Sequence, residues 1–174
     1  YKGVWHLNGS DYTDATTTGN DGVQNNTGSI TGRIAGGRSF NGTNSYVRLN
    51  PLAGFVRCNE SQTISIWARY SSTPSGNRNF VAFQNTGASS AVQVGFADGL
   101  PEAWAWGGGT LAPYGTLPSA NTWHYYVYTF DGTRHRLYVD GVYQENTTAG
   151  QAGIPGEGNL GRYNYGEFFD GWLD

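Results

Sequence analysis

Residues 122–141 read TWHYYVYTFDGTRHRLYVDG. From Trp123 to Phe130 the chain is almost wholly aromatic or β-branched, and Arg134–Val139 is again of strand type. Asp131-Gly132 separates the two segments, and Asp-Gly tolerates the positive φ that a tight hairpin turn requires. The stretch therefore reads as a β-hairpin. Because Trp123–Phe130 is apolar on both faces, it reads as a central strand covered on both sides.

The same grammar extends outward. Asn-Gly or Asp-Gly recurs at Asn8-Gly9, Asp21-Gly22, Asn41-Gly42, Asp98-Gly99, Asp140-Gly141 and Asp170-Gly171, each read as a turn. Gln62–Tyr70 alternates, with Ile64, Ile66 and Ala68 on one face, and Ala91–Ala97 puts Val92, Val94 and Phe96 together. No segment carries ten or so residues of helical apolar period. The fold class is all-β, as two packed antiparallel sheets within one domain spanning residues 1–174. Gly9–Gly37, Ser71–Asn79 and Thr147–Gly158 read as long loops, which in a compact domain are usually functional.

Composition narrows the function. The 174 residues carry a formal net charge of −3, with 13% charged and 15% aromatic residues. One lysine and nine arginines under that balance argue against nucleic-acid binding through a basic patch. No run of about 18 apolar residues exists to form a membrane-inserted helix. Cys58 is the single cysteine, so no internal disulfide or multi-cysteine metal site can form. Met is absent, which implies a piece of a longer multidomain protein.

Gly156–Gly161 matches G-x-G-x-x-G, but no helix follows to meet a pyrophosphate, so it reads as a glycine-rich loop. Sugar hydrolysis needs two convergent carboxylates. Glu167 and Asp170 are three apart, on opposite strand faces, and no carboxylate pair occupies a clear strand interior. His6, His124 and His135 lack transition-metal spacing. A Ca²⁺ ion suits oxygen donors, and the candidates are Asp14, Asn20 and Asp21 in the first loop, Asn41 and Asn44 in a turn, and Asp174. Turn chemistry alone also explains such residues.

Residues 101–110, PEAWAWGGGT, place Trp104 and Trp106 on one strand face. Either the indoles fill the core with the alanines outward, or they form an aromatic platform for sugar rings. The three glycines beside them leave room for a ligand. Tyr114 follows, Tyr163 and Tyr165 form a second aromatic group, and Arg78 is a candidate helper from the Ser71–Asn79 loop.

Four blocks together resemble the LamG-like (laminin-G / concanavalin A-like) jelly-roll domains of bacterial and archaeal surface proteins. They are Val4–Asn8 with the loop ending at Gly22, Ser39–Val47, Thr122–Gly141, and Phe169–Asp174. The resemblance implies a sandwich of two curved antiparallel sheets, extracellular binding or adhesion, often to glycans, and frequently a structural Ca²⁺ near the terminal strands. It departs from the family pattern at Asn41 and Ser45, where Asp is common, which weakens a Ca²⁺ site in that turn.

The expectation is a non-catalytic, secreted or cell-surface module that binds a polysaccharide or glycan. Its ligand site is expected at Trp104, Trp106, Tyr114 and Arg78, with Tyr163 and Tyr165 as the fallback. One Ca²⁺ is expected to link the first loop or the Asn41–Asn44 turn to Asp174. The alternatives are an adhesion domain contacting protein partners and, behind it, a glycoside hydrolase on the same fold. No nucleic acid and no membrane insertion are expected.

Overall fold

The computed structural model describes residues 1–9, 12–55, 60–84, 91–105, 116–148, 155–163 and 166–174, with backbone alone at 91, 104, 105 and 145–148. Among these residues there are thirteen strands and no helix. One sheet has six strands in the order β1 (Gly22–Asn25), β4 (Tyr46–Leu49), β12 (Glu157–Leu160), β6 (Arg78–Gln84), β7 (Ala91–Ala97), β8 (Leu100–Ala105). The other has seven, in the order β11 (Val142–Thr148), β10 (Arg134–Val139), β9 (His124–Phe130), β5 (Gln62–Tyr70), β13 (Asp170–Leu173), β3 (Gly36–Asn41), β2 (Gly28–Thr31). Every pairing is antiparallel. The fold is the expected two-sheet sandwich.

Strand alternation sends one set of side chains from each sheet into the shared core. Phe80 lies at its centre, fully buried, with ring centroids 5.1 Å from Phe96, 4.7 Å from Tyr126 and 4.9 Å from Phe169. Two of these contacts are edge-on, the geometry that ring quadrupoles favour. Burial of each such ring contributes about 1.5–3 kcal/mol.

The hairpin forms as the sequence predicts, with Phe130 opposite His135 and Tyr126 opposite Val139. Asp131 closes it. Its Oδ1 accepts the Thr133 and Arg134 amides at 2.8 Å each, and its Oδ2 takes the Arg136 guanidinium at 2.7 Å. The Arg134 amide, then Arg136 and the Thr133 amide, lower its pKa to about 2.

Four expectations change. β9 is central in its sheet, but only one of its faces is fully covered. His124, Tyr126, Tyr128 and Phe130 are buried, whereas Tyr125, Val127 and Thr129 are half-buried, because only the core side meets the second sheet. The stretch Gly9–Gly37 is not one loop. It contains β1, which pairs with β4, and β2, which pairs with β3, so the chain changes sheets at Asn26–Thr27. Within Gly156–Gly161, Glu157–Leu160 is a strand as well: β12 threads between β4 and β6, where an added Cβ on Gly158 would come within 2.9 Å of the Phe83 ring. Finally, Asp170-Gly171 is not a turn but the start of β13.

Candidate functional site

The face of the six-stranded sheet that looks away from the core carries the residues most suited to recognition. Val47, Leu49, Leu160, Val81, Phe83, Val92, Val94 and Ala103 belong to the core cluster. Their strand neighbours lie on the opposite face. Backbone register aligns one row across all six strands: Val23, Arg48, Asn159, Ala82, Gln93 and Trp104. Ala103 is fully buried in the core. Trp104 occupies the alternate position, opposite Gln93.

Around this row lies a network of buried polar groups. Asn159 is 0% exposed, and its Nδ2 donates to Glu157 Oε1 at 2.8 Å. Arg162 Nε donates to Asn159 Oδ1 at 2.9 Å, and its Nη2 lies 3.5 Å from Glu157 Oε1. Arg48 approaches Glu157 Oε2 at 3.9 Å. The Arg162 guanidinium also stacks 3.5 Å above the centroid of the Tyr46 ring, a cation–π contact. Two arginines thus face one carboxylate on the β4–β12 side, while Glu102 stands on β8 at the far side.

Gln93 is the exception in this network. It is 2% exposed, yet its Nε2 has no hydrogen-bond partner. A buried amide left unpaired costs about 1–3 kcal/mol, so such groups are kept for a reason or filled by a guest. Beside it a pocket of ≈ 10 Å³ opens between Asn79, Gln93 and Glu102, room for a single water or a single ligand hydroxyl. Gln93 was legible as the outward residue between Val92 and Val94. Arg48, Glu157, Asn159 and Arg162 were missed, because no local motif announces residues that only a ladder of distant strands assembles. Glu102 lies within β8 and Glu157 opens β12, so the two carboxylates stand on different strands and form no pair within one strand.

The remaining expected residues are dispersed. Trp106, Tyr114 and Tyr165 lie outside the described residues. Tyr163 follows β12 and is held by reciprocal backbone bonds with Gly166 at 3.1 and 2.9 Å. Burial, and then the Glu167 charge, raise its pKa. Arg78 is not on the polar row. It stands opposite Phe96, in register with a core residue, and lines a cleft at one end of the sandwich.

The expected metal ligands form separate clusters, each already supplied with donors. Asp14 and Asn20 do come together, but the Asp14 carboxylate accepts the amides of Val4, Thr16 and Asn20 and the hydroxyls of Thr16 and Thr18. Burial would raise its pKa, but those donors outweigh burial and hold it far below the ordinary carboxylate value. Asn20 itself bonds Lys2, Thr18 and Ala53. Asn41 Oδ1 accepts the amides of Thr43, Asn44 and Ser45, and Asn44 Oδ1 accepts the amides of Asn41 and Asn26. Asp174 Oδ2 takes the Ile34 amide at 2.6 Å. Asn41 pairs with Asp170 at the opposite end of β13 from Asp174, which separates the two by about 13 Å along the strand. One Ca²⁺ with ligand distances of about 2.3–2.6 Å does not bridge that gap. Among the described residues, no group of three or more His, Cys, Asp or Glu is placed to hold a metal ion.

No helix among the described residues is long and apolar enough to cross a membrane. A family model described as the concanavalin A-like lectin/glucanases superfamily matches residues 40–174. No curated protein matches the sequence. The fold is similar to domain 4 of a GH43 extracellular arabinanase from Geobacillus stearothermophilus, in complex with arabinotriose. The TM-score is 0.74 at 19% identity, over 94% of this chain and 84% of that one. It is also similar to domains LG4-5 of the mouse laminin alpha1 chain, with a TM-score of 0.61 at 18% identity over 79% of this chain and 39% of that one. A third likeness is to a Trypanosoma rangeli sialidase mutant, with a TM-score of 0.69 at 16% identity over 97% of this chain and 28% of that one.

Proposed function

From the premise that this chain belongs to the concanavalin A-like lectin/glucanases superfamily, we propose that it is a carbohydrate-binding module, secreted or on a cell surface, without catalytic activity of its own. The observation that carries the proposal is the polar row of the six-stranded sheet, in which Arg48, Asn159 and Gln93 share their register with Trp104. Sugars are read by flat apolar rings flanked by amide and guanidinium hydrogen-bonding groups, and this row brings both residue types to one place. Gln93 Nε2 supplies an uncommitted donor beside a pocket the size of one hydroxyl. The arabinanase domain of similar fold is bound to arabinotriose, which makes arabino-oligosaccharides the first probes.

The non-catalytic part rests on spacing. Glu157 on β12 and Glu102 on β8 are three strand positions apart, about 14 Å at the usual spacing of strands. Paired glycosidase carboxylates stand about 5–9.5 Å apart.

The test is a glycan array followed by calorimetric titration of the glycans that bind, arabinotriose among the first. Gln93→Ala is expected to weaken binding roughly five-fold, the worth of one neutral hydrogen bond, with little change in melting temperature. Trp104→Ala should weaken it by a similar factor. A wild-type protein that binds no glycan, or a Gln93→Ala protein that binds as well as wild type, would overturn the reading.

Calcium has no part in this reading, because the carboxylates and amides first considered for it already accept protein donors. Melting curves in excess EGTA and in millimolar CaCl₂ are expected to coincide. A rise in melting temperature with Ca²⁺ would show a cation bound to the folded state through oxygens other than these.

Adhesion to protein is favoured by one observation on the other sheet. Tyr143 and Val142 at the β11 edge are exposed, and Tyr143 packs against Tyr138 with ring centroids 5.6 Å apart. Glycan binding that is lost on Tyr143→Ala but retained in Gln93→Ala would move the site to this sheet.

A further inference from the structure

A second recognition site lies at the end of the sandwich, away from the polar row. The Asn41–Gly42 turn, residues 72–75 of the β5–β6 connection, Arg78 at the start of β6 and Asp170 at the start of β13 enclose a cleft of ≈ 200 Å³. That is space for several waters, or for one small polar ring. The buried Phe169 contributes to the lining, and most of the other lining residues are polar.

The chemistry of those walls is specific. Arg78 commits one nitrogen, Nη1, to the Asn77 carbonyl at 2.7 Å. It makes no ion pair with a described carboxylate, and neither does Asp170 with a described cation. Ser72, Thr73 and Ser75 add hydroxyls, and the neighbouring Ser71 Oγ is buried with no partner. A cleft that holds a cation and an anion with no ion pair among the described residues selects against simple ions. Asp170 repels a bare carboxylate, and Arg78 repels a metal cation. A guest that satisfies both must bring a carboxylate for the guanidinium and hydroxyl donors for Asp170. The serine and threonine hydroxyls then serve the rest of a polyhydroxylated ring.

We propose that this cleft binds a uronic acid unit of an acidic saccharide, with Arg78 holding the carboxylate and Asp170 accepting the ring hydroxyls. A guanidinium fork meets a carboxylate with two parallel hydrogen bonds, which a lysine ammonium does not reproduce. An acidic peptide offers a carboxylate and amide N–H groups, but not the array of ring hydroxyls that the serine and threonine side chains of the cleft can serve. The site shares no residue with the polar row, so it stands or falls independently of the reading given above.

The experiment is a nitrogen-15 amide NMR titration of the whole chain with sodium glucuronate, glucose and sodium acetate in parallel. Glucuronate is expected to shift amides of residues 72–79 and 170, and glucose and acetate to shift them far less. Arg78→Gln should weaken glucuronate binding by about five-fold or more, and Arg78→Lys by about three-fold, as charge without the fork. Asp170→Asn should weaken it as well, whereas Gln93→Ala should leave it unchanged. Melting curves of Arg78→Lys guard against misfolding, since that variant keeps the charge and most of the side-chain volume. Four results would overturn the proposal: no shift at residues 72–79, equal response to acetate, glucuronate affinity that survives Arg78→Gln, or affinity lost instead on Gln93→Ala. Loss of array binding on Gln93→Ala while these cleft shifts persist would leave both sites standing.

Discussion

Asp14→Ala is expected to lower the melting temperature by roughly 10 °C at pH 7, although Asp14 lies outside every strand. The residue is 7% exposed, and its two oxygens collect five donors. Val4 N and Thr16 N reach Oδ1 at 2.9 Å, while the Thr16 and Thr18 hydroxyls reach Oδ2 at 2.8 Å and Asn20 N at 3.1 Å. The carboxylate thereby ties the first residues of the chain to the 14–20 loop, and Asn20 carries the tie onward to Ala53. Hydrogen bonds to a charged group are worth about 1.5–3 kcal/mol each but do not add, so about 3–4 kcal/mol is the reasonable total. A domain of this size loses about 2–4 °C per kcal/mol.

The same residue has a pH signature. Its carboxyl titrates well below the ordinary value in the folded chain, so its stabilisation is complete above the unfolded pKa near 4 and drains away as the pH falls further. Wild type and Asp14→Asn should therefore differ most at neutral pH, and their melting temperatures should converge towards pH 2. A gap that stays constant from pH 7 to pH 2 would show that the carboxylate charge contributes nothing.

That residue also shows what a sequence reveals and what it hides. Asp14 and Asn20 do meet in the fold, yet oxygen-rich composition serves a cation or a set of N–H donors equally well. Only the direction of the donors tells the two apart. β5 was legible because its apolar residues alternate on one face and the core used that face, and the β9–β10 hairpin because two β-type segments flank an Asp-Gly turn. β12 was not legible. The Phe83 ring and Leu49 press on its one glycine, Gly158, and a strand thinned to let neighbours in, with Gly156 and Gly161 on either side, looks like a loop in the sequence. The polar row was half-legible for the same reason. Gln93 sits between two valines that point to the core, but its companions at 48, 82 and 159 reach it only through pairings that no local pattern encodes.

Gly171→Ala is expected to cost about 4 kcal/mol or more of stability. The Asp-Gly pair looks like a turn, but Gly171 lies inside β13, opposite Phe40 on one side and Tyr70 on the other. Its φ is 154°, a conformation that L-residues rarely adopt. A Cβ there would stand 2.2 Å from the Arg69 carbonyl oxygen, 2.9 Å from the Tyr70 Cα and 2.6 Å from the Phe169 ring. Two of those three atoms are backbone of β5, so no rotamer change relieves the clash. The strands must part, and β13 is the strand that joins β3 and β2 to the rest of their sheet. Gly76→Ala is the matched control: its φ is +61°, but nothing lies within 4 Å of the added carbon. It should cost only the left-handed penalty of about 1 kcal/mol. Urea unfolding of both variants separates conformational strain from steric exclusion. Midpoints that fall equally would leave strain as the whole effect and refute the close approach of β13 to β5 as its source.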